Sequence, residues 1–175
     1  MTFICLYSPD WISKPIERMA AAALVVVPRV SIDTGKGIIW ADGKSLGIET
    51  VCRDLDASLT KYGAERVQIG VAAVPIAAEV AARNGGNGVR LVSPGDERDF
   101  IGGHKIDVLD PSPPLGNLFD GTGIEMCRDL ACLGQESVEV RFGAEGEHLW
   151  RLARADDNRM IFAAMPRNLP QASMD

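Results

Sequence analysis

The 175 residues, 46% hydrophobic and 24% charged, have the composition of a soluble globular chain with apolar material for one medium domain or two small ones. No stretch reaches the roughly 18 consecutive apolar residues of a membrane span. Residues 1–6 lack the basic flank and cleavage site of an export signal, so a cytoplasmic protein away from membranes is expected. The net charge of −6 works against unaided nucleic-acid binding, because Lys and Arg contacts to phosphate supply most nonspecific affinity.

Residues 2–7 alternate and are β-prone, and Pro9 and Asp10 stop them. Ser13 and Pro15 mark a helix start, and the alanine-rich run 19–24 suits a short helix that gives way to Val25, Val26 and Val27. Segments 30–33 and 38–41 read as a hairpin around Thr34, Gly35, Lys36 and Gly37. Val51, Leu55, Leu59 and Tyr62 recur at helical spacing between Gly47 and Gly63. Residues 67–71 form the next strand, Pro75 opens an apolar helix over 76–83, and 89–92 is the last strand. Asp110, Pro111, Ser112, Pro113 and Pro114 form a stiff connector. Beyond it, short helices over 115–119, 126–133, 137–142 and 148–155 are parted by Gly121-Thr122-Gly123 and by Gly143.

This order predicts an α+β chain with a ferredoxin-like mixed or antiparallel sheet and helices on one face over residues 1–107. A small all-helical unit follows over 108–165, then a linker or tail over 166–175. Cys5, Cys52, Cys127 and Cys132 form no CxxC pair and have only His104 and His148 to assist, so buried reduced thiols are expected, with no metal site and no cofactor.

Several residues admit both a functional and a plain reading. The N–H groups of Gly121, Thr122 and Gly123 can face a phosphate, or the three residues simply connect helices. Arg141, Arg151 and Arg154 are either phosphate contacts or partners for Glu145, Glu147 and Asp156. Residues 110–159 carry ten acids against five arginines, which disfavours DNA. Phe142 and Trp150 read as core; Trp11 and Trp40 would mark a partner site if exposed.

Ser31-Ile32-Asp33-Thr34, the glycine-led stretch from Gly70 to Pro75 and Glu79, and Gly123-Ile124-Glu125 followed by Arg141-Phe142-Gly143 stand in one order along the chain. In that order they resemble the palm and helix-hairpin-helix thumb motifs of the Y-family (UmuC/DinB-like) DNA polymerases, over nearly the whole chain. The opening Cys5-Leu6-Tyr7-Ser8-Pro9-Asp10-Trp11 resembles ImuB-type members, in which the first acidic motif is already missing.

Two-metal phosphoryl transfer needs clustered carboxylates around two Mg²⁺ ions. By the resemblance, Tyr7 and Pro9 occupy the two acidic places of the first strand, with Asp10 displaced by one residue. Thr34 replaces the glutamate beside Asp33, and Pro75 and Glu79 stand where active members carry lysines for the triphosphate. The segment between Asp10 and Ser31 is too short for the fingers domain, and the chain stops where the little finger would begin. The resemblance therefore implies a catalytically inactive palm and thumb, with Asp33 as the one retained acid, acting as a scaffold in error-prone translesion synthesis during the SOS response. The implied partners are a RecA-like accessory protein, an error-prone replicative-type DNA polymerase and the sliding clamp. Alternatives are a weak DNA-binding helix-hairpin-helix module, a truncated polymerase remnant, or residual nucleotidyl transfer through Asp33 and Asp42.

Overall fold

The computed structural model describes residues 2–13, 15–43, 47–86 and 88–162. Strands β1 (Phe3–Tyr7), β2 (Val30–Asp33), β3 (Ile38–Asp42), β4 (Gln68–Ala72) and β5 (Gly88–Leu91) form one sheet in the order β2-β3-β1-β4-β5. The central β1 runs antiparallel to β3 and β4, β2 is antiparallel to β3, and β5 is parallel to β4, so the sheet is mixed as expected. The helices are α1 (Glu17–Leu24), α2 (Ile48–Lys61), α3 (Pro75–Asn84), α4 (Glu97–Gly102), α5 (Pro113–Thr122), α6 (Cys127–Ala131) and α7 (Gln135–Ala153). Short 3-10 turns lie at Pro9–Ile12 and Ile106–Leu109.

The helices follow from their sequences. Val51, Cys52, Leu55 and Leu59 fall on one face of α2 and are buried there. Pro75 opens α3, where a missing N–H leaves no helical bond unmade. A Cβ at Gly70 of β4 would overlap the carbonyl oxygen of Ala78, so this glycine is what lets α3 lie directly on the sheet. Gly143, at φ 67° and ψ −163°, breaks α7 into the two helical segments that its position in the sequence predicts.

Alternation along β1 divides the core. Ile4 and Leu6 join Ile39, Ala41, Ile69 and Val71 against α1 and α2. Cys5 points the other way, with Ile38, Trp40 and Ala72, towards α3 and the helices beyond it. The sheet is thus covered on both faces, not on one as the sequence reading has it. The reason lies in β3, which is apolar from Ile38 to Ala41 and buried throughout; such a strand needs cover on both sides.

On the α3 side one apolar cluster runs from Trp40 and Ile76 through Ile101, Ile106 and Leu109 to Leu115, Phe119, Leu130, Val138 and Leu149. Residues on either side of position 107 therefore share a single core. Trp11 and Trp40 are both buried, which removes them as partner sites. Cys5, Cys52 and Cys127 are buried as expected, whereas Cys132 is exposed at the end of α6. No helix among the described residues is long and apolar enough to cross a membrane. The predicted tail, 166–175, lies outside the described residues.

Candidate functional site

Antiparallel pairing sets Asp33, Ile38 and Tyr7 side by side on the sheet face that α3 covers. Tyr7 and Asp33 are among the positions that the family resemblance singles out, and α3 brings Glu79 to the same face. Glu79 sits on a helix otherwise lined with buried alanines and is only 1% exposed. Such a carboxylate requires cationic or hydrogen-bonding partners, and it has three.

Lys36, from the β2–β3 turn, places its ammonium on Glu79 Oε1 and lies 3.2 Å from Asp110 Oδ2. Arg83, one turn along α3, reaches Glu79 Oε1 at 3.4 Å and holds Asp110 with two bonds of 2.7 and 2.8 Å. Arg159, from the segment after α7, donates to Glu79 Oε2 at 3.1 Å and clasps Asp157 through bonds of 2.7 and 2.9 Å. Three cations thus balance three carboxylates. The Arg159 guanidinium also lies 5.9 Å from the Trp40 ring centre. Farther along the same segment, Phe162 is buried beneath Arg29, which in turn pairs with Asp42.

Lys36, Arg83 and Asp110 are held in their charged forms. For Lys36, burial would lower the pKa, but the charges and hydrogen bonds of Glu79 and Asp110 outweigh it and raise the group above its ordinary value. Hydrogen bonding to Asp110 leads the opposing effects that raise Arg83. Burial works against the Asp110 carboxylate, yet Arg83 and then Lys36 bring it below the usual carboxylate range. Beneath the cluster, burial and then the charge of Glu79 push the Cys5 thiol well up.

The three clustered carboxylates are not disposed as a two-metal site. A two-metal site needs carboxylate oxygens free to converge on the ions, and here those of Glu79, Asp110 and Asp157 are turned to ammonium and guanidinium nitrogens. Among the described residues, no group of three or more His, Cys, Asp or Glu side chains is arranged to share a metal. Asp33 is a turn cap, its carboxylate accepting the Lys36 N–H at 3.1 Å. Asp42, bound to Arg29, lies four residues from the β3 partner of Asp33, about 13 Å along the strand at ordinary rise. The two cannot share an ion, which overturns the reading of residual nucleotidyl transfer through that pair. Pro75 opens α3, and Pro9 and Asp10 lie in the 3-10 turn after β1.

In the helical unit, Gly121 and Thr122 end α5, and the Thr122 hydroxyl donates back to the carbonyls of Leu118 and Phe119. The N–H groups of Gly123 and Ile124 close the same helix on Asp120 and Phe119. Those of Glu125 and Met126 donate to the Asp129 carboxylate, and that of Cys127 donates to the His104 carbonyl. The amides that would meet a phosphate at this turn already have acceptors. Arg154 donates to the Ala131 carbonyl at 3.0 Å and stacks on Trp150, whose indole N–H donates to the Leu133 carbonyl. Arg151 lies 3.9 Å from Glu147 and 4.0 Å from Asp156. Arg141 is exposed on α7, and Glu145 receives the Ser112 N–H and hydroxyl at 2.7 and 2.8 Å.

The fold is that of the DinB-type Y-family DNA polymerases. DinB from Sulfolobus solfataricus superposes with a TM-score of 0.64 at 18% identity, over 84% of this chain and 48% of that one. A DinB-family error-prone DNA polymerase from the same organism gives a TM-score of 0.71 at 16% identity, over 92% of this chain and 68% of that one. Dbh DNA polymerase in its insertion ternary complex gives 0.61 at 16% identity, over 84% of this chain and 47% of that one. This chain therefore spans about half the length of the DinB protein it matches. No family model and no curated protein matches the sequence.

Proposed function

We propose that this chain is a noncatalytic, ImuB-like polymerase homologue that acts through contacts, as an accessory scaffold in error-prone translesion synthesis. The observation that carries the reading is the Glu79 cluster, in which Glu79, Asp110 and Asp157 are each held by a lysine or an arginine. Three carboxylates so engaged are turned away from holding metal ions against a triphosphate, and they serve to tie α3, the β2–β3 turn and the segment after α7 together. The shared polymerase fold supplies the functional setting. The partners that fit this setting are a RecA-like accessory protein, an error-prone replicative-type polymerase and the sliding clamp, with DNA binding weak at a net charge of −6.

A tagged chain, precipitated from DNA-damaged cells of its own source, should retain a RecA-like protein or an error-prone polymerase, identified by mass spectrometry. Recovery of neither, from an extract that contains both, would overturn the scaffold reading. Template-directed primer extension by the purified chain with Mg²⁺ or Mn²⁺ would overturn the noncatalytic one.

A further inference from the structure

The outer edge of β5 differs from every other part of the sheet. All four of its residues are exposed, including Val89 at 48% and Leu91 at 55%. Parallel pairing with β4 sets Val89 beside Ile69 and Leu91 beside Val71, so both side chains project on the α2 face. There they border a groove of about 280 Å³ floored by Ile48, Cys52 and Ile69 and lined along α2 also by the charged Glu49, Arg53 and Asp56. The Val92 N–H points inward to the Val71 carbonyl at 2.8 Å. By strand alternation, the N–H and C=O groups of Val89 and Leu91 point outward, an edge that no strand among the described residues pairs with. The opposite edge, β2, exposes Ile32 alone, its other three residues being partly buried.

We infer that this edge receives an extended segment of a partner protein as a sixth strand, with apolar side chains opposite Val89 and Leu91 and an acidic side chain opposite Arg90. Outward N–H and C=O groups at strand spacing are matched by another strand and by little else. The apolar positions of that strand enter the groove beside Ile48 and Cys52. Arg90 projects on the other face, where its guanidinium stacks on Phe100 at 4.9 Å and forms no ion pair with a described residue. Charge selects the occupant: a second copy in the register that bonds Val89 to Leu91 would set Arg90 against Arg90, and like charges directly opposite are destabilising, whereas an acid there is favourable. The inference rests on the sheet edge and is independent of what the palm face does.

The test uses isotope-labelled full chain and two short synthetic peptides, one alternating valine with glutamate and one alternating valine with lysine. The glutamate peptide should give saturable amide shifts at Val89, Leu91 and the first turns of α2. The variant Leu91→Lys should weaken it at least tenfold, and Arg90→Glu should reverse the preference in favour of the lysine peptide. Both substitutions lie at exposed positions, and unchanged urea midpoints would show that the fold is kept. Absence of saturable shifts, or equal response to both peptides, would overturn the inference. Sedimentation that shows the free chain dimerising through Val89 and Leu91 would overturn the choice of a partner strand over a second copy.

Discussion

The two faces of the sheet are held in different ways. On one, Ile4, Leu6, Ile39, Ile69 and Val71 meet Leu55 and Leu59 in an apolar layer whose cohesion is area removed from water. On the other, Cys5, Ile38 and Trp40 pack on α3, and a buried carboxylate gathers three cations, Arg83 from the next turn of its own helix and Lys36 and Arg159 from distant parts of the chain. The first face does only what the fold requires. The second carries a cluster of charges centred on Glu79, one of the positions where the resemblance places polymerase chemistry. On the proposed reading, the second face is a structural tie set in a polymerase-like fold.

The largest expected effect comes from the apolar face. Leu55→Ala, at a fully buried position, should cost about 3–4 kcal/mol in urea unfolding, by lost transfer energy and the cavity left behind. On the other face Glu79→Ala should cost less, about 2–3 kcal/mol, because Arg83, Arg159 and Lys36 keep 24%, 33% and 34% exposure and water can take up part of their charge. A loss from Glu79→Ala below about 0.5 kcal/mol would mean that the charged face holds nothing together.

The pH dependence should separate the faces next. Asp110 titrates lower in the folded chain than unfolded, so its contribution is present above the ordinary carboxylate range and fades as pH falls through its depressed value. Lys36 titrates higher when folded, so its contribution is present below its ordinary value of 10.5 and is lost as pH rises beyond it. Urea midpoints of the native chain should therefore fall at both ends of the pH range, and less steeply at the acid end in Asp110→Asn. The smallest effect belongs to the turn: Asp33→Ala removes the acceptor of the Lys36 N–H and should cost about 0.5–1 kcal/mol.

Much of the first face was legible in the sequence. The spacing of Val51, Leu55 and Leu59 fixes α2, and the alternation of 2–7 and the glycine turn at 34–37 fix β1 and the hairpin. Short elements without a full period escaped it, namely α4 and both 3-10 turns. So did the cover on both faces, although the apolar run Ile38 to Trp40 carries that signal. The charged cluster was harder to see, because Lys36, Glu79, Asp110 and Arg159 are far apart in sequence and meet only when β1, α3 and α7 are in place. One hint was present: a lone glutamate in Pro75-Ile76-Ala77-Ala78-Glu79-Val80-Ala81-Ala82 lies on a helix that must be buried, and a buried acid needs partners. At the Gly121 to Gly123 turn, sequence reasoning found the break between helices but not Asp129, three residues beyond Met126, which takes the amides of the following turn.

The most direct test of the palm-face account is paramagnetic. Mn²⁺ titrated into isotope-labelled chain at neutral pH should leave the amide signals around Glu79, Asp110 and Asp157 sharp, because lysine and arginine nitrogens already occupy their oxygens. Broadening centred on those residues at low Mn²⁺ concentration would show that the carboxylates are free to take up metal, and would contradict the account.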